Sequence, residues 1–419
     1  MPDQGKPETL LACEDALTLV LRLCRELSPQ PEEELVGLDD ALERVLFINI
    51  CADRDQPPFH RSTRDGFAVN AAHASTGMPI QVLGQLRAGE VWTGSALNPN
   101  EGVEIMTGAP VPAGADAVAM VEHTDRNKSG SIRLMESRSL GSGENIVPQG
   151  SEARAGDVVL HAGTRLQAAH VALLASLGCA QVKVSARPRV AIVATGDELV
   201  DIQATPGPYQ IRNSNSHGIA AIVRACGGEP QIWPPVKDDQ NALNEAVAQA
   251  RQSADLLVLS GGVSAGRYDF VESALAHHGA SFFFTGVRMQ PGKPVVFGQL
   301  PALNGHRPLY VFGLPGNPVS TQVTSLLFVA PLLRALAGDD DPAPRFASAT
   351  LAHEVKTRSG LTRFLPAIYA ATLTGTKVSL TGWQGSGDLS ANARANCYAV
   401  IPANAEKLNL GTQIQLLLR

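Results

Sequence analysis

The chain has 419 residues, too many for one ordinary core, and its length predicts about three domains. With 44% hydrophobic and 18% charged residues it has the composition of a globular protein, which excludes a disordered chain. The formal net charge of −6 leaves no electrostatic footprint for nucleic acid.

In chain order, residues 9–27 read as an amphipathic helix, with Leu10, Ala16, Leu17, Val20, Leu21 and Leu27 at helical spacing, stopped by Ser28-Pro29-Gln30-Pro31. A second helical stretch is predicted over Gly37 to Val45, then a β-type segment from Leu46 to Cys51. From about 53 to 143 short strands broken by Gly and Pro suggest a small β-rich domain. A helix over Gln167 to Leu177 ends at Gly178.

From Pro188 to about 337 strands and helices alternate, predicting a doubly wound parallel α/β sheet. The strands are Val190–Ala194, Leu256–Leu259 and Leu309–Phe312. The helices are Ser216–Ala225, Ala242–Ala250, Phe270–His277 and Val319–Leu336, the last kinked at Pro331. A linker at 339–344 leads to strand-like alternation over 345–419.

The six cysteines are scattered with no Cys-x-x-Cys pair, which argues against a zinc site or disulfide framework and fits a reducing, cytoplasmic setting. Met1 to Thr9 is polar, and no uninterrupted apolar stretch approaches about 18 residues, so no membrane span is expected.

Three Gly-rich stretches follow apolar runs: Ala194-Thr195-Gly196-Asp197-Glu198-Leu199, Leu259-Ser260-Gly261-Gly262-Val263-Ser264-Ala265-Gly266 and Gly313-Leu314-Pro315-Gly316-Asn317-Pro318-Val319-Ser320. A strand, a Gly-rich loop and a helix present backbone N–H groups to an anion, so a phosphorylated ligand and a divalent cation are expected here. Asp269 has two readings, a helix cap paired with Glu272 and a Mg²⁺ ligand beside the phosphate loop. Glu198 is a crevice carboxylate or a solvated loop acid. One of Asp238 and Asp239 is expected to cap the helix at 242.

Asn317 and Pro318 read as N-cap and first helical residue, complete without a ligand, although a helix start also offers N–H donors to an oxyanion. Pro291-Gly292-Lys293-Pro294 is a rigid turn holding one Lys. Asp65-Gly66 and Met106-Thr107-Gly108 read first as turns. His277-His278 reads as favourable charge at a helix C-terminus.

Taken together, these segments resemble a known family. They are Pro57-Pro58-Phe59, Asp65-Gly66-Phe67-Ala68-Val69, Met106-Thr107-Gly108-Ala109-Pro110-Val111-Pro112, Gly143-Glu144-Asn145-Ile146, Pro291-Gly292-Lys293-Pro294 and the three Gly-rich stretches. Their order is similar to that of molybdopterin molybdenumtransferases, the MoeA type that also forms the E domain of gephyrin.

The resemblance implies four regions: an elongated part from 1–52 and 144–187, a β-rich domain at 53–143, a molybdopterin-binding α/β domain at 188–338 and a C-terminal β-barrel-like domain at 339–419. It implies a homodimer whose site joins the α/β and C-terminal domains of one subunit to the β-rich domain of the other. It also implies a molybdopterin adenylyltransferase and apo-molybdoenzymes as partners. The implied reaction takes adenylylated molybdopterin and molybdate, cleaves the phosphoanhydride with Mg²⁺ and releases AMP.

By matching motif, Asp269 would hold Mg²⁺, with Glu198 and Asp238 lining the metal region. Ser260, Gly261, Gly262, Gly316 and Asn317 would hold the phosphate end, with Thr195, Gly196 and Pro315 beside them. Lys293 and Ser320 would bind the oxyanion. Asp65 and Thr107 would come from the β-rich domain, Arg363 and Ser390 from the C-terminal one.

Departures from the family pattern occur at His60-Arg61-Ser62-Thr63-Arg64, Gly286, Gln290 and Leu361. Arg61, Arg64, Arg288 and Arg363 are the candidate replacements for the missing positive charge. Two rival readings are a pterin- or nucleotide-phosphate hydrolase on the same α/β module and a non-catalytic scaffold.

Overall fold

The structure, a computed structural model, describes residues 10–27, 31–262, 270–303 and 307–419. The chain divides into two units, one of Ile48–Ala162 with Ala172–Ala180, the other of Met1–Phe47, Gly163–Val171 and Gln181–Arg419.

The smaller unit is built on a four-stranded sheet of β1 (Gly66–Val69), β2 (Gln81–Leu86), β3 (Glu101–Ile105) and β4 (Ala117–Met120) in the order β2-β3-β1-β4. Alternation along β1 sends Phe67 and Val69 to one core with Ile80 and Ile132, and Ala68 to another with Val103, Ile105 and Val118. Gly66 opens β1 because a Cβ there would lie 2.0 Å from the Ala119 carbonyl oxygen. Only glycine lets the Asp65 loop run directly into a buried strand.

The larger unit begins with helix α1 (Cys13–Glu26), which buries Ala16 and Val20. Its main sheet contains β5 (Arg189–Ala194), β6 (Glu229–Ile232), β7 (Leu256–Ser260), β8 (Ser281–Thr285), β10 (Val296–Leu300) and β11 (Leu309–Leu314). A further strand, β9 (Val287–Gln290), lies outside that sheet. The order is β6-β5-β7-β11-β10-β8, the first four parallel and the last two antiparallel. Pro230 is tolerated in β6 because that strand is the sheet's edge.

Val190 and Ile192 of β5 and Val258 of β7 face one core, while Ala191, Val193, Leu257 and Leu259 face the other. Covering both faces explains why these strands read as unbroken apolar runs. Each fully buried Val or Leu contributes about 1.5–3 kcal/mol.

Helices α2 (Ser214–Ala225), α3 (Gln240–Ser253) and α4 (Phe270–His277) connect these strands. The segment after β11 runs as α5 (Pro318–Thr324), a π turn over Ser325–Val329 and α6 (Ala330–Leu336). The irregularity precedes Pro331, which has no N–H for the carbonyl four residues back, so that turn widens. Pro318–Leu336 is long and apolar enough to cross a membrane by length and composition alone, although Ser and Thr interrupt its apolar runs. It is a core helix here, 78% buried inside the protein.

The C-terminal strands β12 (Phe346–Leu351), β13 (Thr362–Thr372), β14 (Gly375–Leu380), β15 (Cys397–Ile401) and β16 (Gln413–Leu418) close into a barrel. β13 pairs with both β14 and β15, β14 with β12, β12 with β16, and β16 with β15. β9 leaves the α/β sheet and pairs in parallel with β13, Gln290 opposite Arg363.

The helix predicted over Gly37 to Val45 is absent. Glu33–Gly37 is a strand paired with Gln181–Ser185, only Leu38–Asp40 forms a 3₁₀ turn, and Glu43 takes a left-handed φ of 63°. Pairing with a strand nearly 150 residues away overrode the local spacing. The extended reading of Leu46 to Cys51 is met by a bridge from Leu46 to Val184 and a short strand at Ile50–Cys51.

Candidate functional site

Winding in opposite directions from β5 (to β6 on one side and β7 on the other) opens a crevice beyond the carboxyl ends of β5 and β7. The three Gly-rich stretches meet there. Thr195 N–H donates to Ser260 O at 2.8 Å, Gly196 N–H to Val236 O at 3.2 Å and Gly261 N–H to Leu314 O at 3.0 Å. Gly261 has φ +99°, and a Cβ there would sit 2.4 Å from the Thr195 carbonyl oxygen. Both backbone conformation and space therefore demand glycine. Gly262 (φ +63°) is less constrained, its Cβ falling 3.0 Å from Thr195 Oγ1.

A residue that sequence reasoning missed ties two loops together. Asn215 Nδ2 donates to Ser260 Oγ at 3.0 Å and to Gly316 O at 2.7 Å. The helix begins two residues earlier than predicted, with Asn213 as N-cap accepting from Ser216 N–H at 3.2 Å, so Asn215 stands in the first turn. The Asn213-Ser214 pair was the available signal. Replacing Asn215 by Ala is expected to loosen the crevice loops and weaken the AMP binding proposed below by about 3- to 30-fold, the worth of one or two hydrogen bonds. Calorimetric titration with AMP checks this, and an unchanged affinity would contradict the clamp.

Asp197, Glu198 and Asp238 supply the carboxylates. Asp239 takes the capping role, its Oδ1 accepting from Asn241 and Ala242 N–H at 3.0 Å each, which leaves Asp238 free of it. Burial, and then the charges of Asp197 and Glu198, push the Asp238 carboxyl above its usual range. Glu198 folds back over Gly196, where a Cβ would lie 2.6 Å from Glu198 Oε2.

Thr195 Oγ1 is buried without a hydrogen-bond partner of normal geometry among the described residues, and it acts to lower the Asp238 carboxyl against the larger effect of burial. Hard oxygen donors of this kind suit Mg²⁺. Among the described residues no three His, Cys, Asp or Glu side chains form a metal cage. Asp269, and with it both the predicted cap pairing with Glu272 and the predicted Mg²⁺ role, lies outside the described residues.

At the start of α5, Asn317 is the N-cap residue with Pro318 first in the helix, but the Asn317 side chain makes no capping bond. The expectation of free helix-start donors needs one correction: Val319 N–H donates to Ser386 O at 3.0 Å, which ties α5 to a Gly-rich loop of the barrel domain. Pro315 and Ser320 are buried, and Gly316 and Asn317 are exposed. Ser390 is exposed at the start of α7 (Leu389–Arg394) and lines a polar groove with Gln384, Ser386, Asp388 and Arg394. Asp388 caps that helix, and its bonds from Ala391 and Gln384 N–H hold its carboxyl below the usual range.

Lys293 is exposed at the end of β9, on a turn packed tightly against α5, where a Cβ on Gly292 would meet Thr324 Cγ2 at 2.6 Å. The β9–β13 pairing brings this turn beside Arg363, whose Nη2 donates to Arg358 O at 3.0 Å. At the far end of α4, burial lowers the His278 pKa, and its Nε2 is engaged with Asn244 O at 3.0 Å. His278 thus also makes a polar packing contact with the neighbouring helix.

In the smaller unit three motifs converge. Asp65 Oδ1 accepts from Thr107 N–H at 2.7 Å and from Thr107 Oγ1–H at 2.8 Å. These bonds hold the exposed Asp65 carboxyl below the usual carboxylate range. Thr63 N–H donates to Asn145 O at 3.0 Å, and Asn145 Nδ2 to Val118 O at 2.9 Å. Reading Asp65-Gly66 and Thr107-Gly108 as two separate turns missed this 42-residue contact.

A crevice of three Gly-rich loops with an acid set, in an α/β sheet joined to a closed barrel and accompanied by a small β-rich unit, defines a multidomain α/β and β protein. Residues 11–178 match the MoeA N-terminal region (domain I and II), 191–335 a probable molybdopterin binding domain and 348–418 the MoeA C-terminal region (domain IV). The chain is 34% identical over 405 residues to the molybdopterin molybdenumtransferase of Bacillus subtilis (strain 168), covering 95% of this chain and 92% of that one. It is 37% identical over 329 residues to that of Nostoc sp. (77% and 74%).

Among solved structures it is similar to a molybdopterin biosynthesis MoeA protein from Pyrococcus horikoshii OT3, with TM-score 0.80, 27% identity and coverage of 98% and 100%. A second structure of a MoeA protein from that source gives TM-score 0.72, 30% identity and coverage of 98% and 99%. The chain belongs to the molybdopterin molybdenumtransferase (MoeA) family.

Proposed function

We propose that this protein is a transferase that inserts molybdenum into molybdopterin. It takes the adenylylated pterin and molybdate as substrates and releases AMP. The observation that carries this reading is the junction of the 195–198, 260–262 and 315–317 loops, fastened by Asn215, in a family member matched along most of its length.

Backbone N–H groups at Gly262 and Gly316 would orient the pyrophosphate, with Gly196 beside them, and the Asn317 end of α5 would favour its negative charge. Asp238, Glu198 and Asp269 would hold Mg²⁺, which when bound neutralises charge developing on the phosphates. Water would attack the pterin phosphorus, breaking its bond to the bridging oxygen, which departs with AMP, while two Mo–S bonds to the dithiolene would form as one molybdate oxygen leaves as water carrying the two thiol protons. Lys293, Ser320 and Arg363 would gather the tetrahedral oxyanion, since cationic and hydroxyl donors match its charge. Ser390 and the barrel loop would flank the same crevice.

We further propose the four-region division set out above and a homodimer in which Asp65 and Thr107 of one copy serve the crevice of the other. A molybdopterin adenylyltransferase would supply the substrate and apo-molybdoenzymes would receive the product. Six free cysteines among the described residues agree with a reducing compartment such as the cytoplasm.

The test is incubation with adenylylated molybdopterin, Mg²⁺ and molybdate, following AMP release and reconstitution of an apo-molybdoenzyme. Both are expected, and Asp238→Asn with Glu198→Gln should slow both by about 100-fold or more. AMP without reconstitution would point to a hydrolase, and neither product to a scaffold.

A further inference from the structure

Away from the first turn of α5, the larger unit encloses a cavity of about 360 Å³. Its apolar side includes Ile222 of α2 and Leu326 of the π turn, and its polar side carries four arginines, Arg165, Arg334, Arg345 and Arg419. The two nearby carboxylates both serve one of them: Glu43 accepts from Arg165 Nε at 2.7 Å, and Asp339 lies 3.9 Å from Arg165 Nη1. Arg334 Nη1 donates to Ala343 O at 3.0 Å, but its Nε is buried with no acceptor among the described residues.

Arg419 spends its guanidinium on neutral groups, the Asn392 side chain, Tyr398 Oη at 2.8 Å and Ala395 O at 2.8 Å. No ion pair to Arg334, Arg345 or Arg419 occurs among the described residues. The Cys226 thiol on the same wall is pushed up by burial.

Positive charge in a partly enclosed space normally has a counter-charge. We propose that this cavity binds a small organic anion, a phosphate ester or a carboxylate on a compact apolar body. Its volume falls in the range of small-ligand sites, and guanidinium forks suit either head group. The site is separate from the crevice. Gln322 and Leu326 reach the cavity from later turns of the helix that begins at Asn317, about 7–14 Å along its axis.

Calorimetric titration of the full chain with phenyl phosphate and with benzoate, using benzyl alcohol as the neutral control, tests the assignment. At least one anion is expected to bind, the tighter naming the head group, with benzyl alcohol at least about tenfold weaker. Arg334→Met should weaken anion binding at least about tenfold, and so should Arg345→Ala, whose exposed side chain makes it the safer variant for folding. Gly261→Val, which obstructs the crevice instead, should leave that affinity unchanged. Binding that survives both arginine variants, that is lost in Gly261→Val, or that is equal for benzyl alcohol would overturn the proposal, as would no binding of either anion.

Discussion

Replacing Gly261 by Val is expected to abolish AMP binding and molybdenum insertion while leaving a folded protein. The new Cβ would lie 2.4 Å from the Thr195 carbonyl oxygen at a φ of +99°, so the loop must move away from β5. Forcing a β-branched residue into that region costs about 1–3 kcal/mol, well short of what would unfold a sheet whose strands are buried on both faces. The Gly261 N–H tie to Leu314 O would be lost, the Gly262 donor would then miss the phosphate, and activity should fall by about 100-fold or more. Gly262→Ala gives the contrast, since its Cβ meets side-chain atoms alone, Thr195 Oγ1 at 3.0 Å and Val271 Cγ2 at 3.2 Å, in a conformation other residues sometimes adopt. Its loss should be about tenfold or less. Equal effects at the two positions, read by AMP titration and circular dichroism, would contradict the geometry.

Asp65→Asn is expected to keep the loop and lose the chemistry. An Asn oxygen can still accept from Thr107 N–H and Oγ1–H, so the 2.7 and 2.8 Å contacts can persist and the melting temperature should scarcely change. The negative charge is gone, however, and turnover should fall by about 100-fold. If the crevice of one copy is served by Asp65 of another, mixing Asp65→Asn with Asp238→Asn protein should restore activity through hybrid dimers carrying one intact site. Failure of mixtures to exceed either parent, with subunit exchange verified, would remove the shared-site proposal. A lowered melting temperature in Asp65→Asn would recast Asp65 as structural.

Legibility in the sequence followed the range of the interaction concerned. Strands 189–194 and 256–260 were readable because a parallel strand covered on both faces must be apolar throughout, and Phe270–His277 was readable from its period. The start of α5 was announced by Asn317-Pro318, a purely local signal. Gly37 to Val45 failed because the partner that straightens residues 33–37 is the distant strand 181–185.

The same limit governs the candidate site. The Gly-rich stretches were visible, but the Asn215 bonds to Ser260 and Gly316, 45 and 101 residues away, were not. Neither were the Asp65–Thr107 pair and the Val319–Ser386 tie, which depend on how separate segments come together. The choice between Asp238 and Asp239 needed side-chain direction, which two adjacent Asp codes cannot carry.

The most direct measurement is a crystal structure of the protein soaked with AMP and Mg²⁺. The prediction is phosphate density against the backbone at 195–196, 260–262 and 316–317, with a cation touching Asp238 or Glu198. A well-ordered nucleotide whose phosphate lies elsewhere, with those three loops empty, would contradict the central claim that they form one anion site.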